Sequence, residues 1–291
     1  MLSRCFPAGD RGKPRLVEAA GIGSDVSRAQ AAHDSRDDAL FPALEPERES
    51  LSARVGERVS GVHPVLVFLG GIVLSYLVLA LVTLGIGLFF TETILPLGGL
   101  EEADAETVDW LVEQRTPTLN DVSFFGSEIS GGIVLPILVV LLAIGFAIRR
   151  HWLAAVFALF CVALESATYR TTVYFVDRER PDVPRLDDLP PDASFPSGHV
   201  AAAIAVYGGL ALLITSRLTS GVHRAIVWSI AVAIPLIVGV SRMYRGMHHP
   251  LDTLAGVLVG IAAVALVVFV ARVTRVVARA RDEEEAVGGT A

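Results

Sequence analysis

Between positions 173 and 252 the chain places two histidines, several arginines and one carboxylate at the margins of apolar runs. They fall into three clusters: Arg178-Glu179-Arg180-Pro181, Pro196-Ser197-Gly198-His199, and Ser241-Arg242 followed by His248 and Asp252. An imidazole can attack as a nucleophile or pass a proton as a general acid. A guanidinium matches phosphate oxygens bidentately and keeps its charge near lipid. The set suits phosphoryl transfer, whose transition state spreads negative charge over three equatorial oxygens.

The spacing adds detail. His248 and Asp252 are four apart, and Pro250 between them suits the first turn of a helix. On such a helix they share a face, so the carboxylate can accept a hydrogen bond from one ring nitrogen and leave the other free to attack. The plainer alternative is helix capping by Asp252 beside an interfacial histidine. Ser197 suits an N-cap, and Gly198 permits close backbone approach to an anion at the helix N-terminus. Alone, that motif is usually only a cap. Arg180 and Arg242 would hold phosphate oxygens. Snorkelling to lipid headgroups is the rival reading, the better one for Arg185 and Arg245, and open for Arg178.

The clusters resemble the three motifs of the type-2 phosphatidic acid phosphatase superfamily, the lipid phosphate phosphatases. The family pattern is Lys, six residues, Arg-Pro; then Pro-Ser-Gly-His; then Ser-Arg, five residues, His, three residues, Asp. Here the second and third motifs match in full, and the first keeps Arg180-Pro181. Val173 stands at the lysine position and cannot donate to a phosphate. Either Arg170, one helical turn earlier, or Arg178 is expected to compensate; otherwise activity is weaker or the substrate altered. The resemblance implies that His248 is the nucleophile, forming a phosphohistidine, and that His199 is the general acid. It also brings in haloperoxidase chemistry through distant kin that bind vanadate; the multi-span scaffold argues against that.

Composition sets the frame. Of 291 residues, 53% are hydrophobic. The mean hydropathy of +0.57 is too high for an ordinary soluble domain, and long apolar runs mark an integral membrane protein. The two cysteines, Cys5 and Cys161, imply neither a disulfide framework nor a zinc site. His248, His249 and Asp252 are metal-ligand types, but the surrounding arginines repel a cation, so no metal or other cofactor is expected. No apolar signal core precedes residue 64.

The expected fold is all-α, a polytopic bundle of six transmembrane helices. Residues 1–60 read as a disordered cytoplasmic tail, with a short helix near 49–59 in prospect. Residues 61–275 form the membrane domain, with spans near 64–90, 131–148, 152–176, 198–215, 225–241 and 250–271; residues 276–291 are a second cytoplasmic tail. The acidic 91–130 stretch holds a short amphipathic helix, Ala105 to Gln114, with Val108, Leu111 and Val112 on one face. It reads as an extracytoplasmic connector rather than a lid. Glu165 and Arg170 are unusual in a span, each costing about 2.5–3.5 kcal/mol at mid-membrane, so they should face the bundle interior or water. For Glu165 a polar contact between helices is the favoured role.

Basic residues set the orientation. Arg54 and Arg58, Arg149 and Arg150, Arg217 and Arg224, and Arg272, Arg275, Arg279 and Arg281 all fall on one side, which places both termini in the cytoplasm. The motifs then face outward. The expected protein is a multi-pass cell-membrane phosphatase acting on a lipid phosphate or diphosphate, with membrane lipids around it and no nucleic-acid partner. The rivals are a phosphotransferase with an acceptor other than water and a non-catalytic membrane protein with degenerate motifs.

Overall fold

Proline and polar caps start most of the helices in the computed structural model, which describes residues 41–188 and 193–288. Ser50 Oγ accepts the amide of Ala53 to open α1 (Leu51–Arg58). Pro64 opens α2 (Pro64–Phe89), with His63 Nδ1 accepting from Val65 N. The acidic connector forms α3 (Leu100–Glu113) and α4 (Pro117–Glu128), the latter capped by Thr116. Then come α5 (Val134–Ile148), α6 (Trp152–Phe175), α7 (Gly198–Thr215), α8 (Gly221–Tyr244) and α9 (Pro250–Gly288). Among the described residues there is no strand.

Among the described residues, five of the six apolar helices are long enough to cross a membrane; α5, with 15 residues, is the short one. At 1.5 Å per residue it rises about 22 Å, less than the ~30 Å hydrocarbon core. Their outer faces carry bare Leu, Val and Ile, such as Leu74, Leu81 and Leu141, as lipid-facing helices should.

The central element is α9, which packs along α1, α2, α6 and α7. Its contact with α7 is unusually close. A Cβ on Gly256 would stand 2.5 Å from the Ser197 carbonyl oxygen, and one on Gly260 would stand 2.6 Å from that of Ala201. The two glycines, four apart, form a small-residue seam that lets two membrane helices touch backbone to backbone. One end of that seam carries His199, and just beyond lie His248 and Asp252.

Both expected tails need correction. Residues 41–58 are folded onto α9 rather than disordered: Leu44 is fully buried, Arg272 Nε donates to the Ala43 carbonyl at 3.0 Å, and Arg275 pairs with Glu45 at 2.8 Å. Three basic side chains on the far end of α9, Arg272, Arg275 and Arg279, hold this segment through its carbonyl and carboxylate oxygens. The remainder of the expected N-terminal tail, residues 1–40, lies outside the described residues. At the other end, α9 does not stop near 271 but runs to Gly288, because no Gly or Pro falls between residues 261 and 287 to end it.

Candidate active site

The turn that carries His248 is built by a helix ending. At the close of α8, Gly246 adopts φ 75°, a left-handed conformation that glycine reaches without strain, while Met247 N donates to the Arg242 carbonyl. His248 follows at once, and α9 begins at Pro250. Asp252 reaches back to accept the amide of His249 at 2.8 Å, as a third-position carboxylate does in a capping box.

This geometry revises the expected orienting pair. His248 Nδ1 lies 3.9 Å from Asp252 Oδ2, beyond hydrogen-bond range, but 2.8 Å from the carbonyl oxygen of Ser194. A carbonyl only accepts, so Nδ1 carries the proton and Nε2 keeps its lone pair. Asp252 is engaged elsewhere: Arg178 donates one guanidinium nitrogen to it and another to Asp104. Asp104, on α3, also accepts the amide of Leu251 at 3.0 Å. Burial would lower the Arg178 pKa, but the two carboxylates outweigh it and raise it. Arg178 is thus a buried cross-link between α3 and the start of α9, with its charge already matched. The acidic connector helps hold the site together through Asp104.

The remaining basic groups converge. Arg180 Nη1 donates to the Met247 carbonyl at 2.6 Å, beside the nucleophile candidate. Arg242 Nη1 contacts Ser127 Oγ at 3.1 Å and Asp187 at 2.7 Å. Both positive charges act on His199 and on His248, and the two imidazoles lie within electrostatic reach of one another. Burial first, and then the Arg242 charge, holds the His248 pKa well below the ordinary imidazole range, so its ring is neutral. Among the described residues, Arg242 Nε and the Ser197 hydroxyl are buried here without a hydrogen-bond partner. Ser197 occupies the N-cap position of α7, but its side chain makes no cap bond; its backbone amide donates to the Asp252 carbonyl at 2.9 Å. Donors left without acceptors in a buried basic cluster suit an anion.

Arg170 lines a cavity of about 190 Å³ together with Gly198, His199, Tyr169, Ser130 and Glu165. Of the two arginines considered as replacements for the missing lysine, it alone lines the cavity that His199 also lines. Glu165 is 1% exposed, and its Oε2 accepts from Ser166 Oγ at 3.0 Å while Oε1 has no partner.

Arg245 also departs from expectation. It is 5% exposed, not snorkelling, and pairs with Asp187 at 2.5 Å while contacting Asn120 and Ser123. Asp187, unmarked in the sequence, bridges Arg242 and Arg245. Burial would raise its pKa, but the hydrogen bond from Arg245 and the two arginine charges lower it, so it stays a carboxylate. Among the described residues no three His, Cys, Asp or Glu side chains are grouped to hold a metal.

A polytopic helical membrane protein with paired imidazoles and guanidinium groups around a common space is the class that this fold and site define. Residues 154–275 match the model of the PAP2 superfamily. It is 29% identical to phosphatidylglycerophosphatase B of Bacillus subtilis over 171 residues, 58% of this chain and 83% of that protein. It is 39% identical to an undecaprenyl-diphosphatase of Sulfolobus acidocaldarius over 75 residues, 26% of this chain and 32% of that one, so this second likeness is confined to a third of its length. The crystal structure of a transmembrane PAP2-type phosphatidylglycerolphosphate phosphatase from Bacillus subtilis superposes with a TM-score of 0.55 at 28% identity, covering 70% of this chain and 93% of that one.

Proposed function

We propose that this protein is a metal-independent lipid phosphate phosphatase whose reaction passes through phosphorylated His248. The observation that carries this reading is the neutral His248 ring with its Nδ1 proton held by Ser194, set in the field of Arg180 and Arg242. In the reaction, His248 Nε2 attacks phosphorus while Arg180, Arg242, Arg170 and the Ser197 hydroxyl hold the nonbridging oxygens. The bond to the leaving oxygen breaks, and His199 supplies the proton that this oxygen needs. Water, deprotonated by the same imidazole, then cleaves the phosphohistidine and returns His248 and inorganic phosphate.

The guanidinium groups supply the charge stabilisation that a metal would otherwise give. Asp252 acts through the Arg178 bridge and the His249 amide, holding the nucleophile's turn. The relatives' names support phosphatidylglycerol phosphate and polyprenyl diphosphates as substrates to test first. The basic segments between spans favour cytoplasmic termini and an active site facing outward.

The test is a panel of these lipids with the purified full-length protein, its His248→Ala variant, and EDTA. Free phosphate released by the wild type alone, undiminished by EDTA, is expected, with an acid-labile phosphoenzyme in rapid quench. Turnover by His248→Ala at the wild-type rate, or activity restored only by a divalent ion, would refute the mechanism. Phosphate appearing on an alcohol acceptor instead of in solution would make the protein a transferase.

A further inference from the structure

A second cavity lies at the other end of the bundle from His199. It encloses about 730 Å³ between α5 and α7, with apolar walls that include Leu138, Leu142, Leu210 and Leu213. Arg149, His151 and Arg217 line it as well, and among the described residues no acidic one does. Arg149 follows the end of α5 and Arg217 the end of α7, so both charges sit at one membrane border. Along α7, 18 residues separate this border from the motif end, a rise of about 27 Å.

A single arginine at a helix C-terminus needs no ligand, because it offsets the helix dipole and reaches for water. Two arginines from different helices and a histidine on one apolar chamber are a different arrangement. No carboxylate pairs with Arg149 or Arg217 among the described residues; Arg217 stacks on the Phe41 ring at 5.6 Å, and Phe41 in turn meets His151 edge-on at 5.6 Å. The chamber has the size of a small-molecule site, with an oily interior and a cationic rim. Basic pockets of this kind between membrane helices suit phospholipid headgroups.

We propose that this chamber binds an anionic phospholipid, with an acyl chain between α5 and α7 and the headgroup phosphate at Arg149 and Arg217. The ligand is a phosphodiester, so it is not a substrate of the phosphatase reaction and the site stands apart from that chemistry.

The experiment is native mass spectrometry of the full-length protein in mild detergent, titrated with dioleoyl phosphatidylglycerol or dioleoyl phosphatidylcholine. Three variants accompany the wild type. The double change Arg149→Gln and Arg217→Gln removes the rim charge. Gly145→Phe fills the chamber, where a Cβ on Gly145 meets nothing within 4 Å. The double change Arg54→Gln and Arg58→Gln removes as much charge from exposed positions elsewhere.

Phosphatidylglycerol should bind the wild type in preference to phosphatidylcholine. Its affinity should fall about tenfold or more, ~1.4 kcal/mol, in the rim variant, fall for both lipids in Gly145→Phe, and change less than about twofold in the control. Unchanged phosphatidylglycerol affinity in the rim variant would overturn the proposal, and so would an equal loss in the control. Displacement of the lipid by inorganic phosphate at equal concentration would assign the rim to free anions instead. A wild-type protein that takes up neither lipid would leave the chamber to the chain's own segments and sink the idea.

Discussion

The ring of His248 is held by the backbone of Ser194: Nδ1 and the carbonyl oxygen are 2.8 Å apart, while the nearest Asp252 oxygen is 3.9 Å away. Ser194 belongs to the segment before motif two, and its amide donates to the Arg178 carbonyl in motif one. The three motifs are therefore joined through main-chain atoms as well as through side chains.

The neutral state of His248 has a cost at low pH. Its folded pKa lies well below the ordinary value near 6.5, whereas the unfolded chain takes up a proton there. Below about pH 6.5 the unfolded state binds more protons, so the folded state loses stability as pH falls, by at most ~1.4 kcal/mol per unit from this one group. Unfolding in detergent between pH 7.5 and 5.5 should show the wild type losing more stability than His248→Gln, with the difference vanishing at neutral pH.

Arg170 and Arg178 should separate cleanly. Arg178→Met strands two buried carboxylates, and breaking a buried pair of this kind costs about 3–5 kcal/mol. The loss should appear in unfolding, with a coupling of about 2 kcal/mol or more to Asp252→Asn in a double-mutant cycle. Arg170→Ala should leave stability within about 0.5 kcal/mol and lower kcat/KM at least tenfold. Unchanged kinetics in Arg170→Ala would remove it from phosphate binding.

The glycine seam makes a distance prediction. Gly256→Val puts side-chain atoms against the Ser197 carbonyl, a contact that only backbone movement relieves. Activity should drop a hundredfold or more although residue 256 touches no substrate, because a misplacement near 1 Å carries a loss of that order. Gly85→Ala, whose Cβ meets nothing within 4 Å, should keep full activity in the same assay.

Asp187 pairs with Arg242 at 2.7 Å. A phosphate must compete with that carboxylate, so Asp187→Asn should tighten inhibition by inorganic phosphate about three- to tenfold. Weaker inhibition would mean that Asp187 positions Arg242 rather than opposing the ligand.

The sequence carried the parts of this site that have local signatures. The membrane helices follow from unbroken apolar runs, and His199, His248, Arg180 and Arg242 stand in fixed motifs beside helix ends. What it did not carry are partnerships across long separations. Asp104 and Arg178 are 74 residues apart, and Asp187 lies 55 from Arg242; neither acid has periodicity or a motif to mark it. Asp252 invited pairing with His248 by spacing alone, but a buried guanidinium and a free amide compete for the same oxygens and win. Gly256 and Gly260 were visible as a small-residue spacing, and that signal could have found the seam.

The continuous course of α9 has one more consequence. Its 39 residues extend about 58 Å, nearly twice the hydrocarbon thickness, so a rigid stalk must stand clear of the lipid beyond the bilayer. The segment around Glu45 grips that stalk, while Asp252 sits on the first turn of the same rod. A probe fixed near Arg279 would therefore report tilting of the Asp252 end from the opposite side of the membrane, without touching it.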